Sequence, residues 1–209
     1  MKTTFNHDLA NQNRPRKKHM RWEIINTCIN KINAKKYLEI GYHKGNNFNK
    51  INCASKYAVD PQLCPTKTMF SMTSNHFFKQ NKDTFDLIFI DGCHSRNFVL
   101  QDILNSLNCI SDNGIICVHD LNPWNEYVQS SEAMLGDGWK AWVELRSTQK
   151  DLQMFVVNDD NGVGILKKGS QKTIELKIPL NYANLHKNRK EWLNLIDFKD
   201  LVNVNFSQI

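Results

Sequence analysis

The sequence predicts an α/β fold: a mostly parallel sheet of seven strands, helices on both of its faces, and an antiparallel hairpin at the end. Two observations predict it. Short apolar runs alternate with amphipathic stretches through five rounds, as in buried parallel sheets. After Asp120 the pattern changes, and DLQMFVVND, an Asp-Asn-Gly turn and GVGILKKG read as a hairpin. Size agrees: 209 residues, 41% hydrophobic, are enough for one domain to bury a core without staples.

The elements follow in order. Residues 1–14 are polar and read as loose. Residues 15–33 carry Met20, Ile24, Ile25, Cys28 and Ile32 at helical spacing, an N-terminal helix. KYLEIGY is the first strand, followed by a Gly/Asn-rich turn and a short helix through Phe48 and Ile51. KYAVD, stopped by Pro61, is a buried strand. A third strand is expected near Thr68–Met72 and a helix over Ser74–Gln80. FDLIFID is the most strand-like run of the chain. In RNFVLQDILNSLNCI, Val99, Ile103, Leu107 and Ile110 repeat every three to four residues, a helix. NGIICVHD, opened by Asn113-Gly114, is the next buried strand. A helix over 131–147 precedes the hairpin. The tail, 181–209, is helical, with Leu185, Trp192, Leu195 and Ile196 able to pack back on the body.

Charge and cysteine usage narrow the function classes. Residues 1–56 hold 12 Lys/Arg against 3 Asp/Glu; the remainder holds 15 against 18. A basic lobe of this kind either attracts anionic partners or is simply a solvated face. No apolar run reaches membrane-spanning length, and residues 1–18 lack the apolar core of a signal peptide. Six cysteines without a CxxC pair read as reduced thiols in a cytoplasmic protein.

In parallel α/β sheets ligands bind beyond the carboxyl ends of the strands. The first strand ends in Glu39-Ile40-Gly41-Tyr42-His43-Lys44-Gly45, with glycines where a turn is tight or backbone must come close to a ligand. The spacing is not that of the dinucleotide fingerprint, which argues against NAD. The second strand ends in Asp60, 19 residues after Gly41, a distance suited to ribose hydroxyls.

Glu39-Ile40-Gly41, Val59-Asp60-Pro61, Phe85–Gly92 and Gly114–Asp120 together resemble the class I S-adenosylmethionine-dependent methyltransferases, over residues 35–166. MTSNHFF, DGCHS and HDLNP resemble a small bacterial and viral branch associated with sugar or glycan modification. The resemblance implies a Rossmann-like sheet and S-adenosylmethionine as cofactor, with Glu39 and Gly41 at its methionine end, Asp60 at the ribose, and Thr73 and Ser74 at the adenine. It also implies that the fourth and fifth strands are neighbours, so Asp91 and Asp120 converge. Two close carboxylates repel, and a hard cation such as Mg²⁺ relieves that repulsion, with Asn122 as a third oxygen donor. His94 stands three residues after Asp91, where metal-dependent O-methyltransferases of the catechol and sugar type place a base; an imidazole titrating near 6.5 suits that role. His119 is expected to point away, by strand alternation. Trp124, Trp139 and Trp142 either wall an acceptor pocket or belong to the core.

The function so implied is O-methylation of a small hydroxylated or glycan acceptor. Nucleic acid is the competing acceptor, disfavoured because an Asn/Asp-Pro-Pro-Tyr/Phe tetrad is absent. A non-catalytic binding module is the third reading. Oligomeric state is not encoded in any pattern found.

Overall fold

The computed structural model describes residues 6–130 and 134–206. Eight strands form one sheet in the order β3-β2-β1-β4-β5-β7-β6-β8. The first five are β1 (Lys36–Ile40), β2 (Ser55–Val59), β3 (Met69–Phe70), β4 (Phe85–Ile90) and β5 (Ile110–Val118); β6 (Leu152–Val157), β7 (Val163–Lys168) and β8 (Leu195–Ile196) complete it. β1 pairs in parallel with β2 and β4, and β4 with β5. β7 runs antiparallel to both β5 and β6.

Side-chain alternation sends the two halves of each strand to different cores. On β4, Leu87 and Phe89 face α2 (Arg21–Ile32), meeting Ile24, Ile25 and Cys28. Ile88 and Ile90 face the opposite layer, where α4 (Arg96–Leu107) supplies Val99 and Ile103. There α6 (Trp139–Thr148) adds Trp139 and Trp142, and α7 (Tyr182–Leu193) adds Leu185 and Trp192. Trp139 and Trp142 are therefore core residues, both fully buried. A strand covered on both faces has no polar side, which is why these runs are continuously apolar.

Several elements differ from expectation. Residues 7–11, expected loose, form a short helix, α1 (His7–Asn11), which Asn6 caps by accepting from the Asp8 and Leu9 amides. Tertiary bonds hold it: Trp124 Nε1 donates to the Ala10 carbonyl at 2.9 Å, and Asn125 Nδ2 to those of Leu9 and Gln12. The N-terminal helix begins at Arg21, not residue 15, because residues 17–21 instead bind the Asp159-Asp160 turn. Phe48–Lys50 make a single 3₁₀ turn where a helix was expected. β5 starts at Ile110, so Asn113-Gly114 lie inside it beside a register irregularity rather than before it. The helix expected over 131–147 is described from Trp139; residues 131–133 of that expectation lie outside the described residues. The tail is not wholly helical: β8 separates α7 from α8 (Phe198–Asn203), and residues 207–209 lie outside the described residues, as do 1–5 at the other end. The remaining helices are α3 (Ser74–Gln80) and α5 (Glu126–Gln129). Among the described residues no helix is long and apolar enough to cross a membrane.

Candidate active site

A cavity of about 730 Å³ opens beyond the carboxyl ends of β1, β2, β4 and β5, lined at one end by Glu39, Gly41, Asp60, Thr73 and Ser74 and at the other by Asp91, His94, His119 and Asp120. Parallel strands that all end at one edge put these residues there.

Glu39 is almost fully buried. It accepts from the Tyr37 hydroxyl at 2.5 Å and from Asn47 Nδ2 at 2.8 Å. Burial pushes its pKa up to about 7, against the lowering effect of those two hydrogen bonds. Asn47 also lines the cavity, and its Oδ1 is buried with no hydrogen-bond partner. Gly41 has φ +90°, and a Cβ there would stand 2.2 Å from the Asp91 carbonyl oxygen. The glycine is thus demanded by the approach of β1 to the end of β4. Asp60 closes a local turn, accepting from the Gln62 amide at 2.8 Å and from His43 N–H at 2.9 Å. Thr73 caps α3, its hydroxyl accepting from the His76 amide at 3.3 Å.

The other end of the cavity is a charge cluster. His119 Nδ1 donates to Asp91 Oδ1 at 3.0 Å and lies 3.1 Å from Asp120 Oδ1, while Nε2 donates to the Asp160 carbonyl at 2.9 Å. Acceptors face both ring nitrogens, so the ring carries both protons. Burial opposes that charge, but the Asp120 and Asp91 carboxylates outweigh it and hold the pKa well above the usual histidine value. Asp91 is conversely held well below the carboxylate range: burial works against this, and His119, His94 and Arg21 prevail. Arg21, the first residue of α2, places Nε 3.6 Å from Asp91 Oδ2 and Nη1 3.8 Å from Asp160 Oδ2. Lys17 pairs with Asp160, and His19 Nδ1 with Asp159 at 2.9 Å.

His94 is oriented by its own bond. Nδ1 donates to the Met134 carbonyl, leaving Nε2 3.6 Å from both Asp91 Oδ1 and Asp120 Oδ2. Its pKa is raised: burial lowers it, and the bond to Asp91 and the charge of Asp120 more than compensate.

The family model described as Methyltransferase domain matches residues 43–121. That match spans less than half of the chain, from the turn after β1 to the residues just after β5. Solved structures share the fold. A Staphylococcus aureus protein assigned as a caffeoyl-CoA O-methyltransferase superposes with a TM-score of 0.55 at 16% identity, over 74% of this chain and 86% of its own. An O-methyltransferase from Bacillus cereus, in complex with S-adenosylhomocysteine, gives 0.51 at 12% identity, over 77% and 87%. TomG, an O-methyltransferase from Streptomyces achromogenes bound to S-adenosylmethionine, gives 0.52 at 9%, over 81% and 93%. No curated protein matches the chain.

Every expected site residue lines the cavity except Asn122. Asn122 Nδ2 donates to Asn158 Oδ1 at 2.9 Å and its Oδ1 accepts from Arg189 Nη1, so both ends of its amide are committed elsewhere. His94 stands beside Asp91 and Asp120 instead, one ligand atom from each of the three lying within 4.8 Å of the others. Two converging carboxylates fit a hard divalent cation. His119 corrects the alternation argument: Asp120 has φ +61°, a left-handed residue that ends the strand's alternation, and His119 and Asp120 both reach the cavity.

Residues that the sequence reading passed over also line the cavity: Arg21, Asn47, Phe98, Asp102 and Asn161, whose Nδ2 donates to Asp120 Oδ1 at 2.9 Å. Asp102 and Phe98 were legible only as helix positions. Asn161 and Asp160 arrive from the distant β6–β7 turn, and no local pattern announces them. Trp124 lies elsewhere, in a groove with Tyr182, His186 and Arg189.

Proposed function

We propose that this protein is an S-adenosylmethionine-dependent O-methyltransferase acting on a small hydroxylated acceptor, with sugars and glycans as the favoured class. The observation that carries the reading is the position of His94 Nε2, between two carboxylates at one end of a cavity whose other end offers Glu39 and Asp60. The cofactor would supply an electrophilic methyl group on a sulfonium. Glu39 and the unpartnered Asn47 Oδ1 are acceptors suited to an ammonium group. Asp60 is suited to paired ribose hydroxyls, and Thr73 and Ser74 to the adenine end. His94 Nε2 takes the proton of the acceptor hydroxyl, and Asp91 and Asp120 stabilise the imidazolium that results. Holding the acceptor in line with the departing sulfur contributes several kcal/mol more. Asp91 and Asp120 would hold Mg²⁺, which would polarise an acceptor oxygen and leave His94 Nε2 free as the base.

The basic N-terminal stretch supports a small acceptor over nucleic acid. Lys17 faces Asp160, and Arg21 faces Asp91 and Asp160, so part of that charge is balanced internally. All six cysteines are free, which suits a reducing compartment such as the cytoplasm. We read the chain as one working domain.

Calorimetry with S-adenosylmethionine and S-adenosylhomocysteine, with and without Mg²⁺, followed by an acceptor screen, tests the proposal. Binding of both and methylation of a hydroxyl compound are expected. Failure of the folded protein to bind either would overturn it.

A further inference from the structure

A second groove, of about 530 Å³, is built between the loop that follows β5 and the first turns of α7. Trp124 and Tyr182 give it aromatic walls, which suit the apolar face of a sugar ring. Asn122 joins it to a neighbouring cavity of about 430 Å³, which shares Asn161 with the active-site cavity. Trp124 stands four residues beyond Asp120, so at most about 14 Å of extended chain separates the groove from the charge cluster. Its own charge is unlike that of the cluster. Arg189 lines it, half-buried, and none of its lining residues is acidic. Burial holds the Arg189 pKa below its usual value, with only the Tyr182 hydroxyl set against that effect. Nη1 donates to Asn122 Oδ1 and, at 2.7 Å, to the Pro123 carbonyl, both neutral acceptors. Nε and Nη2 keep their hydrogens for a ligand. A second cation stands at the rim, the Arg14 guanidinium carbon 5.3 Å from the centre of the Trp124 ring. Among the described residues no carboxylate pairs with either arginine. A cation withdrawn from water without a counter-charge favours an anion. The acids of the neighbouring cavity do not oppose one: Asp159 accepts from the Lys18 and His19 amides at 2.8 and 2.9 Å, and Asp160 pairs with Lys17.

We propose that this groove is a subsite for an anionic group, carboxylate or phosphate, carried by the sugar acceptor, with Arg189 gripping it through Nε and Nη2 and Arg14 adding a second positive charge. This rests on the acceptor class proposed above and narrows it to acidic or phosphorylated saccharides. A guanidinium fork matches either group in shape, and bonds between opposite charges are the stronger kind. The anion anchors one end of the acceptor while a hydroxyl further along the same molecule reaches His94.

The test is calorimetry of the full chain saturated with S-adenosylhomocysteine, using methyl glucuronoside, glucose 1-phosphate and the uncharged methyl glucoside as probes. At least one charged probe should bind about tenfold or more tighter than the uncharged one, and which of them does so tells carboxylate from phosphate. Arg189→Met should cut that advantage to about threefold or less and leave S-adenosylhomocysteine affinity unchanged. If that variant fails to fold because Asn122 and Pro123 lose their donor, Arg14→Ala, at an exposed position, should still lower the advantage at least about twofold. A full advantage kept by folded Arg189→Met, or by Arg14→Ala where the first variant does not fold, would overturn the subsite. Equal binding of all three probes by wild type, or binding of none, would overturn it too while leaving the cofactor reading standing. Failure of S-adenosylhomocysteine itself to bind would remove the methyltransferase reading and the subsite with it.

Discussion

Replacing Glu39 by Gln should strengthen the fold and weaken the site at once. The native carboxyl titrates near 7, against a usual value of 4.5. Its folded-state pKa is raised, so the native state holds its proton more tightly than the unfolded chain. Stability is therefore fully present below about pH 4.5, is lost as pH rises toward 7, and stays lost above. That interval corresponds to about 3 kcal/mol at full ionisation. Glutamine is neutral throughout and keeps an oxygen for the Tyr37 hydroxyl and Asn47. The variant should match wild type near pH 4.5 and exceed it by up to about 3 kcal/mol at pH 8. Urea unfolding at a series of pH values, with m-values compared, reads this directly. Binding of S-adenosylhomocysteine should fall tenfold or more, because an ammonium group would lose its carboxylate. An offset between the two proteins that does not change with pH would refute the claim that burial, opposed by two hydrogen bonds, sets the Glu39 charge.

Other substitutions probe separate parts of the site. Asp60→Ala should weaken S-adenosylhomocysteine binding by about 1.5–3 kcal/mol by calorimetry, the range for a charge-assisted bond; wild-type affinity in a folded variant would remove Asp60 from the ribose. His94→Ala should lower turnover about 10²–10⁴-fold with cofactor affinity nearly unchanged, measured by methyl transfer to the best acceptor of a screen. Unimpaired turnover would leave proximity as the whole of catalysis, and full wild-type activity in excess chelator would remove Mg²⁺. Gly41→Ala should cost about 2–4 kcal/mol in urea unfolding, from the left-handed backbone and the 2.2 Å approach to the Asp91 carbonyl; an unchanged midpoint would mean that β1 and β4 separate freely.

What was legible in the sequence is what repeats locally. FDLIFID and NGIICVHD announce buried strands because both faces are covered, and Ser74–Gln80 announces its helix at the boundaries observed. Candidate residues at strand ends were legible for the same reason, since topology alone brings Glu39, Asp60 and Asp91 to one edge. Less legible was anything decided by a distant contact. His119 was misjudged because alternation holds only while the strand does, and Asp120 leaves it with a positive φ. Asn122 looked like a metal donor in a short motif, yet Arg189, 67 residues on, claims its oxygen. Residues 7–11 looked like a polar tail until Trp124 and Asn125 gave their helix something to bind.

The two margins of the sheet bear on how this protein behaves in company. Each is closed by a two-residue strand, Met69–Phe70 on one side and Leu195–Ile196 on the other. A neighbouring chain seeking to extend the sheet meets two rungs on β3 or β8, and further along β6 the Met154 carbonyl already accepts from Arg146 Nη1 at 3.0 Å and Asn194 Nδ2 at 2.9 Å. β8 covers the far end of β6, pairing Leu195 and Ile196 in parallel with Val156 and Val157. Concentrated solutions should therefore stay free of amyloid-type aggregation, and copies that associate will meet through their helices and loops.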